Sequence, residues 1–142
     1  MNKSGQSFFE LLVAVAIVSI TLIALVSLAT KSVSNSTYSR DKTLSTRYTQ
    51  EALEWLRGER DKDWNSFYSK ATGGAGSTYC MSDVGAGLQT GSCPMIPDTT
   101  FIRTITLISP GINSVEAIVT TSWEGDTGLH DTTISTVFTD WD

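Results

Sequence analysis

Histidine occurs once, cysteine twice and proline three times in the 142 residues. Two thiols and a lone imidazole at His130, far along the chain, fall short of the four ligands of a structural zinc site, so no metal or cofactor is expected. Proline is missing before Pro94, and neither proline nor glycine occurs between 6 and 57. Nothing in that stretch breaks a helix. Basic residues are scarce in the second half. From residue 71 onward Arg103 is the only base and faces eight acids, a balance of −7. Such a surface repels phosphate, which excludes nucleic acid as its partner. The glycine runs GGAG and GAG lack the G-x-G-x-x-G spacing between a strand and a helix, so they are flexible backbone rather than a nucleotide cradle.

What the chain does have is one long apolar run. Residues 11–29, LLVAVAIVSITLIALVSLA, are 19 residues without charge, glycine or proline. As a helix they extend about 28 Å, the thickness of a bilayer's hydrocarbon core. Three readings compete: a cleaved secretory signal, a plain signal anchor, or a helix that is kept and packed. A secretory signal has a shorter apolar core of roughly 7–15 residues followed by a small-x-small cut site. SLATKS at 27–32 offers such a site, but the run before it is too long. A plain anchor has no use for Glu10, a carboxylate at the edge of the run that is costly to insert unpaired. Before it stands the short leader MNKSG, whose lysine keeps that end on the cytoplasmic side.

The segment Gly5–Gln6–Ser7–Phe8–Phe9–Glu10, followed by an unbroken apolar helix, resembles the type IV prepilin signature. The resemblance implies cleavage by a prepilin peptidase between Gly5 and Gln6, N-methylation of Gln6, and an assembly role for Glu10. In a filament core of apolar helices, the Glu10 carboxylate would be relieved by the new ammonium of a neighbouring subunit. Many members carry Phe or Met after the cut, where this chain has Gln6. Major pilins also commonly carry Pro or Gly inside the helix. The unbroken helix here therefore points to a minor pilin or a secretion-system pseudopilin. Residues 50–64, QEALEWLRGERDKDW, resemble the stalk end of minor-pilin-like proteins.

Beyond Lys31 the pattern turns amphipathic. Leu44, Tyr48, Ala52, Trp55 and Leu56 mark one face of a helix that extends from about residue 7 to about 61. Residues 31–70 carry eight bases against six acids. Residues 71–100 hold most of the glycine and two of the three prolines, and read as a loop. Cys80 and Cys93 flank its middle; their even number favours a disulfide outside the cytoplasm, with free thiols or a metal half-site as alternatives. Three alternating, β-branched runs follow at Phe101–Ser109, Ser114–Trp123 and Thr132–Trp141, separated by turns at Pro110–Gly111 and Glu124–Gly128. Phe101, Arg103, Ile105 and Leu107 share one face of the first. An antiparallel meander covered by the stalk helix is the simplest arrangement. Trp55, Trp64, Trp123 and Trp141 are expected in the core or at its rim. His130–Asp131 reads as a surface turn rather than an acid–base pair. Asp61-x-Asp63 lacks the rest of a calcium loop, and Asp126 is the remaining cation candidate.

The expected class is α+β, pilin-like: a long N-terminal helix, half transmembrane and half amphipathic, on a small antiparallel sheet. The expected division is a leader at 1–5, a transmembrane or filament-core helix at 6–30, a stalk at 31–62, a disulfide-bearing loop at 63–100 and a three-stranded sheet at 101–142. The resemblance implies a non-enzymatic subunit of a type IV pilus or pseudopilus. It implies residence in a bacterial cytoplasmic membrane with the head outside, then in a surface filament. Its partners would be other subunits, prepilin peptidase, the membrane and assembly machinery. The rival is a membrane-anchored binding module that never polymerises.

Overall fold

The computed structural model describes residues 4–140, with side chains from Phe8 onward. Met1 to Lys3 of the expected leader and Trp141 of the third expected strand lie outside the described residues. The chain divides into two units, Met1–Ser39 and Arg40–Asp142. A first helix, α1 (Ser4–Lys62), contributes to both. Its length follows from the absence of proline and glycine between 6 and 57. Asp63, extended at φ −160°, ends the run and caps a short second helix, α2 (Trp64–Tyr68), by accepting a hydrogen bond from the Ser66 N–H at 3.1 Å. Asp61 pairs instead with Arg60 at 2.7 Å. The two aspartates are thus a helix-end pair, not the start of a calcium loop. Nearby, the Lys62 ammonium bonded to Glu59, with Lys70 behind it, holds the Glu59 carboxyl below its ordinary value despite partial burial.

In the second unit, four strands form one antiparallel sheet in chain order: β1 (Ser77–Cys80), β2 (Ile102–Gly111), β3 (Ser114–Gly125) and β4 (Gly128–Thr139). The three expected strands are present. Phe101, Arg103, Ile105 and Leu107 turn inward as their alternation requires, as do Val115, Ala117 and Val119. Two details differ from the expectation. The segment expected to be loop contributes both α2 and β1, the latter pairing Ser77 with Leu107 and Cys80 with Thr104 at the sheet edge. Four residues between glycine clusters are too short to show a period, so only pairing to β2 makes them a strand. The first turn also lies later than Pro110–Gly111. β2 continues through Gly111 across an irregularity after Ile108, and the chain reverses at Ile112–Asn113, with Asn113 in the left-handed region at φ 57°. Gly76 is obligatory: its φ is +78°, and a Cβ there would lie 2.8 Å from the Leu107 carbonyl oxygen.

The second half of α1 lies on this sheet. The largest core cluster joins Leu53 and Leu56 to Phe67, Met81, Ile105, Leu107, Val119 and Phe138, with Phe67 edge-on to Phe138 at 5.5 Å. A smaller one joins Ile96, Phe101 and Trp123, flanked by Leu44 and Tyr48. The buried line of the helix is Ser45, Thr49, Ala52 and Leu56, while Leu44, Tyr48 and Trp55 flank it half-buried. The small hydroxyl residues let the helix approach closely and satisfy themselves there. Ser45 donates to the Thr121 carbonyl at 3.0 Å, and Thr49 lies 2.9 Å from both the Ser45 carbonyl and the Thr121 hydroxyl.

Arg103 occupies the junction of three elements. It is only 1% exposed, yet its guanidinium donates to the Met81 carbonyl at 3.0 Å, the Tyr48 carbonyl at 2.7 Å and the Glu51 carboxylate at 2.9 Å. The carboxylate is half in water, with 51% of its side chain exposed, so Coulomb attraction is the smaller part of this tie. The desolvated hydrogen bonds are the larger part.

Two substitutions test this balance. Arg103→Ala is expected to cost about 2–4 kcal/mol, while Glu51→Gln costs less than about 1 kcal/mol, both read from urea midpoints of the full chain in detergent. A larger loss at Glu51 would overturn the ranking. Gly58→Ala meets no atom within 4 Å of the added methyl and is expected to raise stability by roughly 0.5–1 kcal/mol in the same measurement.

Candidate functional site

Among the described residues the first unit has no core of its own. Every side chain from Phe8 to Val33 is exposed within the chain. Fifteen of them are large apolar groups, including Phe8, Phe9, Ile17, Ile23 and Leu28. The helix is apolar enough to cross a membrane, with a mean hydropathy of 2.9 over its most apolar window. Covering each such side chain is worth about 1.5–3 kcal/mol, tens of kcal/mol in sum. That exceeds the whole folding stability of an ordinary domain, about 5–15 kcal/mol. Water is therefore the wrong solvent for this surface, and lipid or other apolar helices are the right one.

Three hydroxyls along this stretch close onto their own helix. Ser19 donates to the Val15 carbonyl at 2.8 Å, Thr21 to the Val18 carbonyl at 2.8 Å, and Thr30 to the Val26 carbonyl at 3.0 Å. Hydroxyls closed onto their own helix need no water, which is what a hydrocarbon environment demands. Nothing in composition alone distinguishes them from exposed serines; the signal is their position inside a charge-free run.

Glu10 differs from these hydroxyls in carrying a charge. It lies on an open helix surface beside Phe9, Val13, Ala14 and Ile17, and has no partner among the described residues. A carboxylate on an apolar face can pair with a cation brought from outside the chain or stay at a wet boundary. Gly5 and Gln6 fall in the first turns of α1 by backbone, and the Gln6 side chain lies outside the described residues. The structure thus brings Glu10 to the mouth of the apolar segment.

In the second unit the cysteines are joined. Cys80 and Cys93 form a disulfide with Cα atoms 5.0 Å apart, closing a loop whose ends are 13 residues apart. That resolves the alternatives of free thiols and a metal half-site, and leaves no thiolate for cysteine–histidine chemistry. The Cys80 backbone also exchanges two hydrogen bonds with Gln89, at 2.7 and 2.9 Å, so the loop lies against the sheet edge. His130 belongs to β4 rather than to a turn. Its ring stacks on Trp123 at 5.4 Å, and its Nε2 lies 2.9 Å from the Thr127 hydroxyl. Asp126 lies in the exposed turn between β3 and β4. Among the described residues no group of three or more His, Cys, Asp or Glu side chains is placed to hold a metal ion.

Reduction of the disulfide, or Cys93→Ser, is expected to lower head stability by about 3 kcal/mol, the loop-closure value for a ring of this size. Denaturant midpoints with and without reductant measure it, and equal midpoints would count against the loop as a stabilising element. No protein-family model, curated protein or solved structure matches this chain.

Proposed function

We propose that the chain is a structural, non-enzymatic subunit of a type IV pilus or related pseudopilus, of the minor-pilin or pseudopilin kind. The observation that carries this reading is Glu10, without a partner among the described residues, at the mouth of an apolar helix whose side chains from Phe8 to Val33 are exposed. Membrane insertion explains the apolar surface but not the carboxylate. Helix-to-helix assembly explains both. Cleavage after Gly5 would make an ammonium at Gln6, and that ammonium of one subunit would meet Glu10 of the next in a dry core. The helix is held in the cytoplasmic membrane, N-terminus inside, until assembly machinery lifts it out. The disulfide supports placing the head in an oxidising compartment outside the cytoplasm. The lack of proline or glycine from 6 to 57 favours a minor subunit over a major one.

Intact mass of the chain from its host tests the processing step: loss of Met1 to Gly5 with a methylated Gln6 is expected. Retention of the leader would instead leave a membrane-anchored extracytoplasmic binding module that does not polymerise. Glu10→Ala is expected to keep the chain in the membrane fraction while lowering its incorporation into filaments tenfold or more. Breaking a buried ion pair costs about 3–5 kcal/mol, and each 1.4 kcal/mol is a factor of ten. Incorporation at the wild-type level would overturn the assembly role.

A further inference from the structure

Two charges bound the apolar run. Glu10 precedes it and Lys31 follows it, and between 11 and 39 Lys31 is the single charged residue. Both side chains are exposed. Neither has an ion-pair partner among the described residues. One helical turn to either side of Lys31 stand Ser27, Leu28, Ser34 and Asn35, none of them acidic, so it has no pair along its own helix. The nearest acids in the sequence are Glu10 and Asp41, 21 and 10 residues away. By helical rise these are about 32 and 15 Å along the axis, beyond the reach of a lysine side chain. An anion for Lys31 therefore comes from outside the chain, as a cation for Glu10 does.

Copies held in one bilayer lie level. Glu10 is then beside Glu10 and Lys31 beside Lys31, and like charges repel. Water and headgroups serve each of them at its own edge of the membrane. Raising one copy by the Glu10–Lys31 separation reverses this. That separation, about 32 Å, matches the ~30 Å thickness of the hydrocarbon core. The carboxylate of the raised copy is then level with the ammonium of the copy below, and the apolar run of one begins where that of the other ends. Asp41 is the other acid near Lys31 in sequence, and a second copy offers it at an offset of about 15 Å. It stands between Arg40 and Lys42, which already offset its charge, whereas no base stands between Glu10 and Lys31. Charge complementarity therefore selects Glu10. A contact between opposite ends of one helix is head-to-tail, and such contacts repeat into open filaments instead of closing into dimers.

We propose that Lys31 of one copy pairs with Glu10 of a second copy raised by about 32 Å along the shared helix direction. This rests on the filament reading and adds to it a second contact that sets axial register. A carboxylate has two oxygens, so Glu10 accepts both this ammonium and the one proposed at Gln6. The pair is absent while copies lie level in the bilayer and forms only as they are raised. It thus favours assembly without tying stored copies together.

The test uses the full chain expressed in its host. Ala14→Cys and Asn35→Cys lie one turn beyond Glu10 and Lys31 on the same faces of the helix. Sheared filaments are oxidised and run on a non-reducing gel. A ladder of dimers and higher multimers is expected from this double variant, and none from either single variant. Ala14→Cys combined with Ala24→Cys reads the 15 Å register of Asp41 and is expected to give none. In the chain without added cysteines, Lys31→Glu is expected to leave the amount in the membrane fraction unchanged and to lower filament incorporation at least tenfold, while Lys31→Arg stays within twofold of wild type. Filaments of correctly matured chains with no ladder from the first pair would overturn the contact and leave the filament reading standing. So would a ladder from the second pair instead, or normal incorporation of Lys31→Glu. Loss of Lys31→Glu from the membrane fraction would overturn it too, assigning Lys31 to the lipid headgroups. A chain that keeps its leader and forms no filaments would overturn both.

Discussion

An apolar helix surface left exposed among the described residues constrains everything else in this protein. From Phe8 to Val33 every side chain is exposed among the described residues. The associated free energy, tens of kcal/mol, is larger than any stability a head of about a hundred residues supplies. The segment is therefore compatible with anchoring in a membrane. A bilayer and a bundle of like helices are both suitable, because each is apolar and neither competes for the hydroxyls of Ser19, Thr21 and Thr30. Glu10 separates the two environments. It is tolerated at the edge of a bilayer, and it is stabilised in a bundle only where a cation meets it.

Since the first half of α1 contributes nothing to a core, the head is held by a small sheet, half a helix and local ties. A four-stranded sheet needs a cover to be stable, and α1 from Ser45 to Leu56 supplies it. The cover has two characters. Around Leu53 and Leu56 it is apolar. Around Ser45 and Thr49 it is a seam of hydroxyls bonded to Thr121, which trades hydrophobic area for close approach and directional contacts. Arg103 then joins β2 to the chain just beyond β1 and to the helix, in a site where its donors would be costly if unmatched. The disulfide does the same by covalent means for the glycine-rich loop. Each tie compensates for a core too small to rely on area alone.

The surface of the head is sorted in a way that its fold does not require. The stretch from 31 to 70 is slightly basic, while the rest of the head is acidic. The hairpin tip around Leu129 is exposed and acidic, while the α1–β4 groove is lined by Arg47 and Arg57 together with Glu51 and Glu54. In a protein that acts alone, these features would be mild liabilities for solubility.

Composition and period alone determined a good deal. The 19 residues without charge or breaker dictated a helix of membrane length, because no other structure satisfies its backbone without water. Strict alternation in Phe101–Leu107 and in Val115–Val119 dictated which side of each strand faces inward, including the surprising inward side of Arg103. Tertiary structure decided the rest. It showed why Arg103 can stay buried, since its acceptors at Met81 and Tyr48 are 22 and 55 residues away. It moved the centre of the helix face from Leu44 and Tyr48 to Ser45 and Thr49, which hydrophobicity cannot rank, because a hydroxyl is buried cheaply only where a partner awaits it. It made STYC a strand through β2, and it made Asp63 a cap. Period reports what a residue prefers locally; pairing, close approach and hydrogen-bond satisfaction depend on neighbours that the chain supplies only once it is folded.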